Sequence, residues 1–128
     1  MKVLLDTSIL LWWVTGAERL SDRARWVIED AGNEVFVSVA SAWEIAIKAE
    51  RGRLTLPLPA ERYVPDLLGR FGFKPLDIAL THALRAGALP MHHRDPFDRL
   101  LVAQAQLEEM PVVTADPAIG RYDVDVIG

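Results

Sequence analysis

Two short apolar runs, Val3-Leu4-Leu5 and Val112-Val113-Thr114, constrain this chain most, because each is followed within two residues by an aspartate, Asp6 and Asp116. A brief apolar run without polar alternation reads as a strand buried on both faces, the habit of parallel sheets. Parallel strands cannot be joined by a tight turn and need crossover connections, usually helices. Open α/β sheets bind their ligands outside the carboxyl ends of the strands. Both aspartates are therefore expected at one edge of one sheet.

The segments between these runs supply the crossovers. The first strand spans about Lys2 to Leu5. A helix from Ser8 to Val14 ends near Gly16, and Ser21 caps a second from Asp22 to Asp30 with Ala24, Val27 and Ile28 inward. Gly32-Asn33 turns into a strand from Glu34 to Val37. Trp43 to Lys48 is strongly helical and stops at Gly52. Leu54 to Pro59 reads as a linker, Ala60 to Arg70 as a helix, and Phe73 to Leu76 as an edge strand because Pro75 lacks an N–H. Asp77 and Gly87 are candidate caps of a helix from Ile78 to Ala86. Asp95-Pro96 opens the helix Phe97 to Glu109, with Phe97, Leu100, Leu101 and Leu107 as core candidates. Pro111 to Thr114 is a buried strand, Asp116-Pro117 turns into a short helix, and Asp125 to Ile127 closes the sheet. The alternation predicts right-handed crossovers and a mostly parallel sheet.

A chain of 128 residues, 51% of them hydrophobic, suits one domain with one core, here residues 1–128. With no cysteine, neither disulfides nor thiolate metal sites are available, which fits a reducing cytoplasm. No signal peptide is expected, since the apolar run after Lys2 is broken by Asp6. No apolar stretch is long enough for a bilayer, so no membrane role is expected. A net charge of −4 weighs against nucleic-acid binding unless bound metal neutralises several of the acids.

Glu44 and Asp98 are placed in the first turns of helices at the same sheet edge, so four carboxylates face one cleft. Such a cluster is unfavourable alone, because like charges raise one another's pKa. A hard divalent cation bound through oxygen removes that cost. Mg²⁺, or alternatively Mn²⁺, fits these ligands, whereas zinc would want the missing cysteines. The reading gives Asp6, Asp98 and Asp116 to the metal, with Glu44 completing the shell or positioning a water. A metal so held lowers the pKa of bound water and stabilises charge developing on a phosphodiester.

Each acid also has an ordinary reading. Asp6 fits as a helix cap. Ser41-Ala42-Trp43-Glu44 matches a capping box. Asp116-Pro117 suits a turn. At the last helix, capping is assigned to Asp95 and chemistry to Asp98. Joint placement carries the inference. Thr7, Ser8 and Thr114 are candidates to orient a carboxylate or a metal-bound water, with capping by Ser8 as the alternative. His92 and His93 are candidates for phosphate contact or proton transfer, and the favoured reading of both is a solvated loop position.

The motifs Leu4-Leu5-Asp6-Thr7-Ser8, Ser41-Ala42-Trp43-Glu44-Ile45-Ala46-Ile47-Lys48 with Gly52-Arg53-Leu54, His93 to Ala105, and Thr114-Ala115-Asp116 occur in this order. Together they resemble a PIN domain, and more narrowly the VapC-type toxins of toxin–antitoxin pairs. The resemblance spans essentially the whole chain. It implies a three-layer α/β/α sandwich with a central parallel sheet, and a Mg²⁺- or Mn²⁺-dependent endoribonuclease. Carried over residue by residue, the family's four acids fall on Asp6, Glu44, Asp98 and Asp116. A homodimer and a VapB-type antitoxin partner are implied as well.

An RNA backbone needs cations. Lys48, Arg51, Arg53, Arg94 and Arg99 are the candidate contacts, with a solvated, salt-bridged helix face as the alternative. Trp12 and Trp13 cannot share one helical face, so the first helices or the Arg62–Phe71 region are candidate partner surfaces. Two other classes of protein compete. A non-catalytic RNA-binding module would keep its RNA affinity when the acids become amides. A phospho-acceptor receiver domain needs an acidic pair after the first strand and a late lysine, and no lysine follows Lys74.

Overall fold

The computed structural model describes residues 1–128. Its strands are β1 (Lys2–Leu5), β2 (Glu34–Ser38), β3 (Lys74–Leu76), β4 (Val112–Val113) and β5 (Val126–Ile127). Its helices are α1 (Thr7–Thr15), α2 (Asp22–Glu29), α3 (Val39–Glu50), α4 (Ala60–Phe71), α5 (Leu80–Ala88) and α6 (Pro96–Glu108), with a 3₁₀ turn at Ile119–Arg121. The strands form one sheet in the order β3-β2-β1-β4-β5, and every pair is parallel.

β1 is the central strand, and its side chains alternate between two apolar layers. Val3 and Leu5 pack with Ile9, Leu10, Val27, Ile45, Val64 and Leu67 on one face. Leu4 packs with Leu101, Val102, Val112 and Ile119 on the other. That is a three-layer α/β/α sandwich. Each fully buried leucine contributes roughly 1.5–3 kcal/mol relative to exposure. β1 connects to β2 on one side and pairs with β4 on the other. The crevice between the carboxyl ends of β1 and β4 is therefore the point where strand order reverses, the ligand position of open α/β sheets.

Most expected elements are present within a residue or two, and the differences have local causes. α1 begins at Thr7, with Asp6 at its N-cap position but making no side-chain cap. α3 begins at Val39, not near Trp43. Ser38 caps it by accepting the Ala40 N–H at 3.0 Å, and donates to Gln104 Oε1 at 2.6 Å. Glu44 is thus a second-turn residue, and the capping box expected from Ser41 does not form. α5 starts at Leu80 rather than after Asp77, because His82 Nδ1 accepts the Ala79 N–H at 2.9 Å, and Gly87 lies inside it. In α6 only Leu101 of the four core candidates is buried. The helix lies against α5, α3 and β4, so its covered arc includes Val102, Ala103, Gln104 and Ala105 instead. Trp12 and Trp13 are both half-buried, Trp13 meeting Phe71 edge-on at 5.7 Å. No helix is long and apolar enough to cross a membrane.

Candidate active site

Four elements bring carboxylates to the switch point. Asp6 ends β1, Asp116 follows β4, Glu44 lies in the second turn of α3, and Asp98 lies in the first turn of α6. They line one cleft of about 270 Å³, together with Thr7, Ser8 and Lys48. Asp95 does the capping at α6, accepting the Phe97 N–H at 2.9 Å, which leaves the Asp98 carboxylate free of that role.

Thr114 joins two of the acids. Its hydroxyl donates to Asp6 Oδ2 at 2.8 Å and accepts the Asp116 N–H at 3.0 Å. Asp116 closes a turn through Oδ1, which accepts the Ala118 N–H at 2.9 Å, and keeps Oδ2 toward the cleft. Thr7 orients no acid with its hydroxyl, which donates to Ser41 Oγ at 2.8 Å and pins the start of α1 to α3. Ser8 is exposed at the cleft lip.

His93 enters the cluster. Its Nε2 lies 2.8 Å from Asp116 Oδ2 and 3.0 Å from Asp98 Oδ2. Nδ1 accepts the Asp95 N–H at 3.1 Å, so the proton belongs on Nε2, between the two carboxylates. The expectation of a solvated loop histidine is corrected here. The Tyr122 hydroxyl accepts the N–H groups of His92 and His93 at 3.2 and 2.9 Å and so folds the loop inward. His92 stays at the edge, its ring 5.0 Å from that of Tyr122. The signal in the sequence is slight: one histidine two residues before a capping Asp-Pro.

Electrostatics matches the crowding. Burial pushes the Asp98 carboxyl up to about 7, helped by the charges of Asp6, Asp95 and Glu44 and opposed by His93. Burial also raises Asp6, with the Thr114 hydroxyl and the Thr7 N–H acting against it and the Asp116 and Glu44 charges adding to it. Burial pulls His93 down, but its bond to Asp116 and the charges of Asp98, Asp116 and Asp95 prevail, and the net shift is upward.

Glu44 is 7% exposed. Its Oε2 pairs with Lys48 Nζ at 2.7 Å, while Oε1 is buried without any partner. A buried carboxylate oxygen without a donor is costly unless something positive meets it. The donor atoms of His93, Asp98 and Asp116 lie within 4.8 Å of one another. An oxygen-rich cluster with raised carboxyls and an orphaned oxygen fits a hard divalent cation.

The basic residues divide. Arg51, Arg53 and Arg94 are exposed and, with Lys48, line a second hollow of about 370 Å³ that shares Glu44 and Asp95 with the acidic cleft. Arg99 does not belong with them, which corrects its assignment as an RNA contact. It is 8% exposed, and its guanidinium donates to the carbonyls of Ala86, Leu89, Pro90 and His93 at 2.8–3.4 Å. It fastens the 86–93 segment to α6.

The five-stranded parallel sheet carries this acid cluster at its switch point, and comparison with known proteins agrees with that arrangement. Residues 3–125 match the PIN domain family model, and the chain belongs to that family. It is 35% identical to Ribonuclease VapC22 of Mycobacterium tuberculosis over 115 residues, 89% of this chain and 86% of that protein. It is 41% identical to Ribonuclease VapC16 of the same organism over 61 residues, 48% of this chain, and this match spans only 43% of that relative. Among solved structures, the crystal structure of VapBC2 from Rickettsia felis bound to a promoter DNA fragment has the same fold. The TM-score is 0.71 at 14% identity, over 99% of this chain and 98% of that one.

Proposed function

We propose that this chain is a divalent-metal-dependent endoribonuclease and the toxin of a toxin–antitoxin pair. The observation that carries the reading is the meeting of Asp6, Glu44, Asp98 and Asp116 in one cleft, with Glu44 Oε1 lacking a partner. The ribonuclease names of the relatives support RNA as substrate. Asp6, Asp98 and Asp116 would hold Mg²⁺ or Mn²⁺, and Glu44 would complete the shell or hold a water. When bound, the cation supplies a water of lowered pKa and positive charge against the phosphodiester.

The chain's own residues do the rest. Thr114 fixes the Asp6 carboxylate by its hydroxyl bond. Lys48, Arg51, Arg53 and Arg94 offer cations along the hollow beside the cleft and would track the phosphates of the strand. The protein would act in the cytoplasm under control of a VapB-type antitoxin, as in the VapBC complex that shares its fold. We also assign it a homodimer. The exposed Leu80 and Leu84 on α5, 76% and 67% accessible, support a partner surface there.

The test is cleavage of a mixed RNA pool by the purified protein, with Mg²⁺ or Mn²⁺ against EDTA, beside Asp98→Asn. Cutting that needs the cation and vanishes in the variant is the expected result. Cutting that survives EDTA or the substitution would overturn the assignment.

A further inference from the structure

Each of the two helical acids is preceded by an aromatic residue, Trp43 before Glu44 and Phe97 before Asp98. The two rings meet in space although 54 positions separate them in sequence. Their centroids are 5.4 Å apart at 77°, an edge-to-face pair between the second turn of α3 and the start of α6. Trp43 is 61% exposed. An indole this open on a rigid helix, braced by a second ring, is poorly accounted for by core packing.

The surroundings indicate what the ring meets. Trp43 and Ile47 lie four residues apart on α3, so they share a face, and Arg51 caps the end of that helix. Phe97 and Ile47 line the same hollow as Lys48, Arg51, Arg53 and Arg94. In a chain of net charge −4, this places four cations beside Phe97 at the edge of the acidic cleft, while Trp43, in contact with that ring, lines a second, largely apolar hollow with Val39, Ala46 and Val64. Aromatic faces interleaved with cations along a groove are the features that hold unpaired nucleic acid, cations on the backbone and rings on the bases. A base within a duplex has no free face to offer, so such a platform selects unpaired RNA.

We propose that Trp43, braced by Phe97, is a base-stacking platform that seats one unpaired nucleotide next to the scissile phosphate. This makes Trp43 a substrate-positioning residue that sets preference for single-stranded RNA. The inference rests on the ribonuclease reading. Charge complementarity favours RNA over a protein partner at this position, since the exposed Arg51, Arg53 and Arg94 share a hollow with Phe97, the ring that braces Trp43.

The test separates base from backbone. Binding of a labelled 12-nucleotide oligouridylate and of a base-free ribose-phosphate oligomer of equal length is measured in EDTA, where binding is read without turnover. Wild type is expected to prefer the oligouridylate. Trp43→Leu is expected to lose about tenfold in affinity for it, with the base-free oligomer unaffected, and Trp43→Phe to retain most of the preference. Lys48→Gln is expected to weaken both probes alike. Trp43 is exposed, so an unchanged melting temperature in both Trp43 variants accompanies these results. Equal loss for both probes in Trp43→Leu would overturn the platform. So would an unchanged oligouridylate affinity, which would leave the ring to a protein partner, or failure of wild type to prefer bases at all. Failure of the nuclease reading shows separately, as absent metal-dependent cleavage by wild type.

Discussion

Thr114 holds Asp6 by a single hydroxyl bond of 2.8 Å, and the same hydroxyl oxygen receives the Asp116 N–H. The two strand-end acids are thus joined through one buried side chain that carries no charge. Thr114→Val keeps the shape and removes both bonds. The expected result is a loss of about 1 kcal/mol in stability and roughly 10- to 100-fold weaker Mn²⁺ binding, read by denaturant titration and calorimetry. Unaltered Mn²⁺ affinity would remove Thr114 from the site.

The acid cluster sets a pH dependence on the metal-free fold. Asp98 sits at about 7 in the folded chain against 3.8 for the free group, and Asp6 and His93 are also raised. Protons then bind the folded state more tightly than the unfolded one. Their stabilising contribution is complete at low pH and is lost as pH rises, through about 7 for Asp98. Melting in EDTA is expected to show the cluster favouring pH 5.5 over pH 8. Asp98→Asn should flatten that difference and raise the melting temperature at pH 8. A cation competes with these protons, so Mg²⁺ affinity should increase from pH 6 to pH 8. A variant with an undiminished slope would mean that other groups dominate the titration.

Arg99 and Arg51 should separate folding from binding. Arg99→Gln leaves the carbonyls of Ala86 and Leu89 without their donor, and is expected to cost roughly 3 kcal/mol in urea unfolding. Arg51→Gln should leave stability within about 0.5 kcal/mol. It should reduce the salt dependence of RNA binding by the equivalent of about one phosphate contact. Reversal of this pattern would return Arg99 to the RNA surface.

Glu109 ends α6 with φ +54°, the only non-glycine residue with positive φ. A side chain in this conformation is strained, and glycine is not. Glu109→Gly is expected to stabilise the fold by about 0.5–1 kcal/mol, read as a higher urea midpoint with activity unchanged. A lower midpoint would show that the carboxylate contributes more there than the strain costs.

Much of the fold was legible from short-range rules. The apolar runs at Val3-Leu4-Leu5 and Val112-Val113, the Ser21 and Asp95 caps, and the stop at Gly16 are local signals, and the elements lie where they indicate. Asp6 and Asp116 were legible for the same reason, since a strand that ends also positions the residue after it. Glu44 was named on the right helix but in the wrong turn, because Ser38 and Ser41 both offer a hydroxyl and only packing against Gln104 selects Ser38.

By itself, then, the sequence determined which segments become strands and helices and which acids stand at their ends, because dihedral preference, capping and hydrophobic period act over a few residues. Only the tertiary structure decided which distant side chains meet. His93 joins Asp116 because Tyr122 gathers the loop, Arg99 turns inward because four carbonyls converge on it, and Trp43 reaches Phe97 because α3 and α6 pack side by side. Those contacts depend on strand order and on the closing of a three-layer core, and no local rule along the chain encodes either.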